Sequence, residues 1–422
     1  MALKILLVTE YFFPKTTGGT ELYVYNLAKA LISFGNQVAV ITCTDDEQDY
    51  EFDGIKVVGI PFNKDKRTIV IKEEIAPDNL QSFENAIRIL DYDIAHFHTL
   101  TTSINLFHIE KAKQIGYPAL LTSHIPGHIC LRGDLVHRNK EVCDGVIKSQ
   151  KCLSCFHLSR GIQFPLNHLS AALLKYGDYV VPFSDSAKNK KKNLLKLNSI
   201  LDAIIVVSEW QKKMFLANGM DEKKIRLCRQ ALAPTQAPLQ KKTDALFTIG
   251  FTGRVAKGKG LHLLLEALSA IDQDRFCLKV AAIPVQDEMP YFNQLKNVAK
   301  NFKNHVWLEN LPNQEIAAFM ASIDVLCIPS IWLETGPFVA YEAFAVGTPV
   351  LGSNSGGIRE LIEENNNGWL FRFNDTVDLL EKIKFLIALY YQKGSLRIFD
   401  KKLRTSENMA IEMIETYEHI LK

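Results

Sequence analysis

Short apolar runs, often rich in β-branched residues, recur along the amino-terminal part of the chain, with longer helix-like stretches between several of them. The runs are KILLVTEYF, QVAVITC, IKVVGIPF, DIAHFH and ALLTSH, and one helix-like stretch is TELYVYNLAKALISFG. Buried strands that alternate with helices are typical of βα units, which form a parallel sheet with helices on both faces. This part of the chain is therefore predicted to be a doubly wound α/β domain.

The alternation stops at residues 126–200, which are predicted to be a mostly helical or irregular insertion. It resumes with LDAIIVVSEWQKKMFLANG and KIRLCRQ, and then the segment 231–245, rich in Pro, Gln and Lys, predicts a linker. Strand and helix patterns restart at LFTIGFTG. The predicted domains are 1–235, which contains the insertion, and 246–400, followed by an amphipathic helix within 401–422.

Composition and charge narrow the class of protein. The 422 residues are 47% hydrophobic and 23% charged, as in a soluble globular protein of two domains. A net charge of +2 gives no argument for nucleic-acid binding, and no apolar run is long enough to cross a bilayer. The start of the chain lacks a secretory cleavage pattern, so a cytoplasmic location is predicted. Disulfides do not persist there, so the eight cysteines need another explanation.

In each predicted domain, a glycine-containing loop follows the first strand. In KTTGGTE, Gly18 and Gly19 let backbone approach a ligand at the start of a helix, which favours an anion such as phosphate. In FTGRVAKGKG, Arg254 and Lys259 could neutralise a diphosphate. A tight strand-to-helix turn and solvated surface charges are the alternative interpretations. Neither loop has the G-x-G-x-x-G spacing of a dinucleotide fingerprint.

A third loop, IWLETGPFVAYEAFAVGTPV, follows the predicted strand DVLCIPS and contains two acids eight positions apart. Glu334 lies in a Gly-Pro turn, and Glu342 is predicted to lie in the first turn of a helix that begins at Tyr341. The alternatives are a surface acid for Glu334 and a helix-dipole partner for Glu342. The three loops occur together at predicted strand ends, where open α/β sheets bind ligands, and this co-occurrence favours a binding site.

Three segments together resemble a known family: GGTELYVYNLAKAL, GRVAKGKGLHLLLEAL and ETGPFVAYEAFAVGTPVLGSNSGGIREL. The chain resembles the retaining glycosyltransferases of family 4, over nearly its whole length except 126–200. The resemblance implies the GT-B fold, two Rossmann-like domains facing across a cleft, with the helix in 401–422 crossing back to the first. It also implies sugar transfer from a UDP-, GDP- or ADP-linked donor to a carbohydrate or lipid-linked acceptor in polysaccharide or glycoconjugate synthesis.

The resemblance also implies residue roles. Glu334 and His124, the latter in LLTSHIPG, would lie near the donor sugar, and Glu342 would accept hydrogen bonds from the ribose. Arg254 and Lys259 would hold the diphosphate and stabilise the charge of the leaving group. The remaining donor-binding positions implied are Gly18, Gly19, Gly336, Pro337, Phe338 and Val339.

The family is described by same-face attack, in which the leaving diphosphate helps to deprotonate the acceptor. A catalytic metal is not expected, since no D-x-D element is placed to hold one. Two other functions stay open: a nucleotide-sugar epimerase of the GT-B type, and a non-catalytic nucleotide-sugar-binding subunit.

Four cysteines fall within the insertion. They are Cys130, Cys143, Cys152 and Cys155, and the last two form a C-x2-C pair. This spacing suits tetrahedral thiolate coordination of a structural zinc ion or an iron–sulfur cluster. Reduced cysteines packed as small apolar groups, or a redox-sensitive pair, are the alternatives.

The nearby segment KNKKKNLLKLN alternates lysines with leucines. It predicts either a solvated helix face or a basic helix that docks on anionic lipid, which would place the protein peripherally at the inner membrane face.

Overall fold

The computed structural model describes residues 2–14, 18–62, 76–138, 140–173, 176–177, 183–232, 246–397 and 404–422. The chain divides into two units. The first unit contains Met1–Asn139, Cys143–Ala233 and Arg404–Lys422, and the second contains Lys140–Val142 and Pro234–Leu403. Most of the predicted linker, 233–245, lies outside the described residues.

Strands and helices alternate through the described part of the first unit, because apolar runs and helical stretches alternate in its sequence. The strands are β1 (Lys4–Thr9), β2 (Gln37–Thr44), β3 (Gln48–Phe52), β4 (Ile55–Pro61), β5 (Ile94–His98), β6 (Ala119–Ser123), β7 (Val136–His137), β9 (Ala203–Val206) and β10 (Ile225–Leu227). The short strand β8 (Glu141–Val142) lies between β7 and β9 in the chain but belongs to the second unit. The helices are α1 (Gly19–Ser33), α2 (Leu80–Ile89), α3 (Leu106–Ile115), α4 (Ser149–Ser159), α5 (Leu166–Ala172), α6 (Ser184–Ile200) and α7 (Glu209–Ala217).

The main sheet of the first unit has the strand order β10-β9-β6-β5-β1-β2-β4-β3. Its pairings are parallel except for β3, which runs antiparallel to β4 at one edge. The sequence pattern did not predict β3, because QDYEF is a polar, largely exposed edge strand without an apolar run. Chain order reverses between β1 and β5, whose register pairs Leu7 with His96 and Thr9 with His98.

The second unit restarts the alternation after residue 246. Its strands are β11 (Phe247–Arg254), β12 (Phe276–Ile283), β13 (His305–Glu309), β14 (Val325–Ile328), β15 (Val350–Ser353) and β16 (Gly368–Phe371). Its helices are α8 (Leu261–Ser269), α9 (Met289–Ala299), α10 (Asn313–Ala321), α11 (Phe338–Ala345), α12 (Gly356–Leu361) and α13 (Thr376–Lys393).

All pairings in this second sheet are parallel, in the order β13-β12-β11-β14-β15-β16. Both faces of the sheet are covered by apolar cores, one centred on strand residues such as Ile249 and Val280 and the other on Leu326 and Val350. Chain order reverses between β11 and β14. A doubly wound sheet binds ligands beyond the carboxyl ends of its strands at such a reversal, so this point is where a site is expected.

The last helix, α14 (Ser406–Leu421), lies in the first unit. Tyr417 is completely buried, and its hydroxyl lies 2.7 Å from Nδ1 of His96 on β5. The other ring nitrogen of His96 lies 2.7 Å from the hydroxyl of Thr122 on β6. The helix is thereby fixed to the centre of the first sheet by a buried polar chain.

Six histidines of the first unit are buried, and for five of them burial lowers the pKa, which makes the stability of the unit dependent on pH. Burial lowers the pKa of His96, His108, His124 and His128 to about 3, and that of His98 well below its ordinary value. These side chains are neutral when folded, whereas an unfolded chain binds protons below about pH 6.5. The stabilisation is therefore present above that pH and is lost as the pH falls towards 3.

We expect the free energy of unfolding of the first unit to fall below pH 6.5 by about 1.4 kcal/mol per pH unit for each such histidine. Hydrogen exchange of the β5 and β6 amides, corrected for intrinsic rates, measures this fall. A His128→Gln variant removes one titrating group and should give a shallower slope, whatever its stability at neutral pH. Equal protection at pH 7 and pH 5.5 would contradict the expectation.

Candidate active site

The turn after β11 brings Lys259 close to the loop that follows β14. Gly260 has a φ of +71°, and a Cβ there would lie 1.9 Å from the carbonyl oxygen of Pro329. A Cβ on Gly258 would lie 2.7 Å from the Trp332 ring. The amide of Ile331 also donates to the carbonyl of Gly258 at 2.9 Å. The glycines of GKG are therefore required for the two loops to approach each other.

Three donors converge on one oxygen of Glu334. Its Oε1 lies 2.7 Å from Nζ of Lys259, 2.8 Å from Oγ of Ser330 and 2.7 Å from Nε1 of Trp332. The Lys259 ammonium also lies 5.1 Å from the centre of the Trp332 ring, a cation–π contact. We call these four residues the Glu334 cluster. It lies at the carboxyl ends of β11 and β14, where chain order reverses.

The charge of Glu334 is stabilised despite its burial, since its side chain is only 12% exposed. Burial raises the pKa of Glu334, but the Lys259 ammonium and the hydrogen bonds from Trp332 and Ser330 outweigh burial and bring the pKa below its ordinary value. The carboxylate is therefore ionised at neutral pH, with its negative charge fixed in position.

The backbone of Glu334 is held as well. Its carbonyl accepts a 2.7 Å hydrogen bond from the amide of Gly357, at the start of α12. A Cβ on Gly357 would lie 2.4 Å from the carbonyl oxygen of Thr335, so only glycine fits there. Loops after three neighbouring strands, β11, β14 and β15, thus meet at Glu334.

The helix that carries Glu342 begins earlier than the sequence predicted. The prediction of a start at Tyr341 is wrong: α11 begins at Phe338, after Pro337 as its amino-terminal flanking residue. Glu342 therefore lies in the second helical turn rather than the first. Proline predicts this start, because it fits before or at the first helical position and cannot occupy the interior.

Glu342 is half-buried and differs electrostatically from Glu334. Burial raises the pKa of Glu342 to about 7, so the side chain is balanced between its two protonation states near neutral pH. The first backbone N–H groups of α11, at Phe338 and Val339, precede it and have no partner within a helix. Gly336, with φ of 159°, forms the turn before them.

Arg254 lies exposed at the end of β11. The hydrogen bonds that define the Glu334 cluster in the described residues include neither Arg254 nor Glu342. The structure therefore brings Lys259 and Glu334 together directly, and leaves Arg254 and Glu342 outside their contact.

In the first unit, Gly18 flanks α1 and Gly19 begins it, at the carboxyl end of β1. A Cβ on Gly18 would lie 2.2 Å from Oε2 of Glu21, whose carboxylate occupies the first turn of the helix. A carboxylate there complements the positive end of the helix dipole. The glycine thus leaves room for an acid at the helix start.

His124 follows β6 and belongs to a buried aromatic group with His98 and Tyr23. Nε2 of His124 lies 3.2 Å from Nδ1 of His98, and its ring centre lies 4.5 Å from that of Tyr23. Burial lowers the pKa of His124 to about 3, with neighbouring histidines adding to the effect. A neutral imidazole can exchange hydrogen bonds with hydroxyl groups, but it supplies no positive charge at neutral pH.

Comparison with known sequences identifies the family. A sequence model described as "Glycosyltransferase Family 4" matches residues 17–230, and one described as "Glycosyl transferases group 1" matches residues 236–402. The chain belongs to glycosyltransferase family 4. The resemblance seen in the three sequence segments is confirmed.

Relatives of this family 4 chain include proteins of bacterial polysaccharide regions. An uncharacterised 41.2 kDa protein of the cps region of Klebsiella pneumoniae is 29% identical over 56% of this chain and 67% of its own length. The amylovoran biosynthesis glycosyltransferase AmsK of Erwinia amylovora is 31% identical over 43% of this chain and 46% of its own length. The alignment with AmsK thus spans about half of that protein.

Solved structures show the fold of this family 4 chain. HepE of Anabaena, crystallised with UDP and glucose, has a TM-score of 0.66 at 16% identity and covers 99% of both chains. A sucrose-phosphate synthase of Thermosynechococcus elongatus has a TM-score of 0.64 at 17% identity, covering 99% of this chain and 98% of its own. The prediction of the GT-B fold class is confirmed. None of the described helices has both the length and the apolar character needed to span a membrane.

Four residues of these sites were missed by the sequence reasoning. Ser330 and Trp332 precede Glu334 by four and two positions, so a hydroxyl and an indole beside the acid in PSIWLE were a usable signal. His98 ends the predicted strand DIAHFH, at the same sheet edge as His124, and this position was also a usable signal in the sequence. Tyr23 carries no local signal, because only helix packing brings it against His124.

The four cysteines of the insertion are partly buried and form no disulfide. The thiol of Cys152 is partly buried, and its pKa is raised to about 11, chiefly by this burial and further by the thiols of Cys130 and Cys143. Cys155 instead lies 3.6 Å from Nη1 of Arg132. Among the residues that the structure describes, no three or more His, Cys, Asp or Glu side chains are arranged to hold a metal ion. The metal site therefore stays a prediction.

Metal analysis of protein purified without added metal tests this prediction. We expect about one equivalent of zinc, or iron as a cluster, per chain if the four thiolates coordinate metal. The Cys152→Ser/Cys155→Ser variant should lose it, whereas Cys277→Ser, in strand β12, should retain it. Absence of zinc and iron together with four freely titrating thiols in the insertion excludes the site.

Proposed function

We propose that this protein is a retaining hexosyltransferase, which moves a sugar from a nucleoside-diphosphate donor to a carbohydrate or lipid-linked acceptor in polysaccharide or glycoconjugate synthesis. The observation that carries the proposal is the Glu334 cluster. An ionised carboxylate and an ammonium group, held by loops after adjacent strands at the chain-order reversal, lie where a doubly wound sheet binds its ligand. Family membership supports the reaction class, and the similarity to AmsK, a glycosyltransferase of amylovoran biosynthesis, supports polysaccharide synthesis.

The donor is proposed to be a nucleoside diphosphate sugar. HepE has been crystallised with UDP and with UDP-glucose, which supports a donor of this class. In our proposal Lys259 and Arg254 neutralise the diphosphate, and the amides of Phe338 and Val339 donate to its oxygens. Glu342 accepts hydrogen bonds from the ribose hydroxyls, a role that requires its ionised form.

In the proposed reaction, the bond between the anomeric carbon and the diphosphate oxygen breaks. The acceptor oxygen attacks from the same face, and its proton passes to the leaving diphosphate. Negative charge on the diphosphate grows as the bond breaks, so Lys259 stabilises the transition state more than the ground state. Glu334 positions the sugar hydroxyls and holds Lys259 in place, which makes catalysis a matter of positioning and electrostatics.

We also propose ligand-binding roles for three residues of the first unit. Gly18 and Gly19 offer close backbone approach at the start of α1, and the neutral His124 exchanges a hydrogen bond with a sugar hydroxyl. Each of these groups lies at the carboxyl edge of the first sheet, which supports their assignment to ligand binding.

A Lys259→Met variant tests the role of the cluster. We expect turnover to fall about a hundredfold to a thousandfold, because removal of one charge-stabilising donor has effects of this size. Lys257→Met is the matched control, since it removes an exposed lysine two positions earlier in the same turn and should change turnover only slightly. Sugar transfer is measured from a nucleotide sugar selected by thermal shift, with unfolding temperatures recorded for both variants.

The outcomes of that experiment distinguish the candidate functions. Wild-type turnover by Lys259→Met would refute the assignment of the cluster. Sugar interconversion without acceptor consumption would indicate an epimerase. Donor binding without any turnover by the wild type would indicate a non-catalytic subunit.

Glu342 predicts a pH-dependent donor affinity. Because its pKa is about 7 and ribose binding requires the carboxylate, affinity for the donor should be about tenfold weaker at pH 6 than at pH 8. A nucleotide sugar is used in calorimetric titration, because its diphosphate does not titrate in this range. Glu342→Gln should abolish the difference, while Glu315→Gln, an exposed acid of α10, should leave it unchanged. A pH-independent wild type would contradict the ribose role.

A further inference from the structure

The short helix α5 of the insertion is oriented with its polar side chains towards the protein. Asn167 is buried, and its Nδ2 donates to Oγ of Ser154 at 3.0 Å. The hydroxyl of Ser170 lies 2.6 Å from Nδ1 of His157. An ordinary surface helix buries its leucines and exposes its polar residues, so this burial pattern is inverted.

The opposite side of α5 and the residues flanking it expose large apolar side chains. Phe164 is 76% exposed, Leu166 62% and Leu169 58%, and Leu173 and Ile162 are also exposed. Leu166, Leu169 and Leu173 follow a spacing of three and four residues, which places them on one helix face. We call these five residues the α5 apolar surface. A row of this kind marks a binding surface, unlike a single exposed leucine.

A small core fixes α5 against two other helices. Leu153 of α4, Ala171 of α5 and Ala187 of α6 are buried together. Leu131 and Phe183 pack against this core, and the hydrogen bonds of Asn167 and Ser170 add polar contacts. The described core therefore includes Ala171 of α5 but not Leu166 or Leu169, which stay exposed and available to an external apolar phase.

Positive charge accompanies this apolar surface. Residues 126–200 contain twelve lysines and arginines against five aspartates and glutamates, a net of +7, whereas the whole chain carries +2. Lys191 and Lys192 lie exposed on α6, the helix that shares the small core with α5. The basic excess of the chain is thus concentrated in the segment that exposes the leucines.

A cavity beside α5 adds to this charge. It has a volume of about 220 Å³ and is lined by Arg138, Lys151 and His168 among others. Lys151 pairs with Asp144 at 2.6 Å, and Arg138 lies exposed at the rim. Cationic and imidazole groups next to an apolar surface suit a molecule with an anionic head and apolar tails.

We propose that the α5 apolar surface and the exposed lysines of α6 dock this protein on a bilayer that contains anionic phospholipid. The leucines and Phe164 enter the boundary of the acyl chains, and Lys191 and Lys192 face the headgroups. The inference extends the proposed function, on which its purpose rests, by placing the enzyme where a lipid-linked acceptor is presented.

Vesicle flotation of the full-length protein tests the inference without donor or acceptor, so its result is independent of the proposed transfer activity. We expect binding to vesicles of equal parts phosphatidylcholine and phosphatidylglycerol, and weak binding to phosphatidylcholine alone. The Phe164→Ser/Leu166→Ser/Leu169→Ser variant should bind the anionic vesicles at least about tenfold more weakly than the wild type. Its matched control, Phe34→Ser/Ile89→Ser/Val377→Ser, removes three exposed apolar side chains elsewhere and should bind as the wild type does.

The lysines are tested separately. Lys191→Gln/Lys192→Gln should reduce binding to anionic vesicles about tenfold and leave the weak binding to phosphatidylcholine unchanged. This variant also serves if the triple serine variant does not fold, which its unfolding temperature reveals.

Two results would overturn the inference. One is a wild-type protein that stays unbound with both kinds of vesicle, and the other is undiminished binding by the folded serine and glutamine variants. Sedimentation velocity distinguishes a further occupant: a wild-type dimer that the serine variant converts to monomer, without vesicle binding, assigns the surface to a second copy of the chain. Transfer activity on a water-soluble acceptor reports on the proposed function alone.

Discussion

A carboxylate that is removed from water must be compensated by charge and hydrogen bonds, and Glu334 of the second unit is compensated on a single oxygen. The desolvation of an ion costs several kcal/mol, so the ammonium, hydroxyl and indole donors around Oε1 are needed together. The backbone bond from Gly357 adds a third loop to the same residue. The order of strands β11, β14 and β15 makes this possible, because their carboxyl ends are neighbours at one sheet edge.

Glu334 and Glu342 carry the same functional group, but their environments shift the two pKa values in opposite directions. Glu334 has a cation and two neutral donors, which bring its pKa below the ordinary value although burial acts in the opposite direction. For Glu342 burial is uncompensated and raises the pKa to about 7. Glu334 therefore provides a constant charge, whereas the charge of Glu342 depends on pH and on what binds beside it.

In the first unit the buried polar groups around β5 and β6 are mainly uncharged histidines. Its histidines are neutral and are distributed over hydrogen bonds with Tyr417, Thr122 and Ser123, so a polar layer runs through the sheet to the last helix. The insertion follows neither scheme. Its helix α5 is held by polar contacts and a small core, and its apolar side chains face outward.

Much of this protein was predictable from local pattern. Alternating apolar runs predicted the βα units, and the family resemblance carried by GGTELYVYNLAKAL and EAFAVGTPV implied the GT-B fold. The edge strand β3 could not be found, because an exposed polar strand has no apolar period. The start of α11 was misplaced, because the pattern after Pro337 was attributed to the loop.

The sequence by itself determined which residues could carry charge in the segments that follow β11 and β14: Glu334, Glu342, Arg254 and Lys259. Only tertiary structure decided that Lys259 pairs with Glu334 while Arg254 stays exposed, and that Ser330 and Trp332 share the same carboxylate oxygen. The physical reason is that local spacing sets the secondary structure, whereas the distance between loops 75 residues apart depends on strand order and on the close approach that Gly258 and Gly260 permit. The exposure of the α5 leucines could not be predicted from periodicity either. A helical pattern identifies an apolar face, but it does not show whether that face is buried against the protein or exposed.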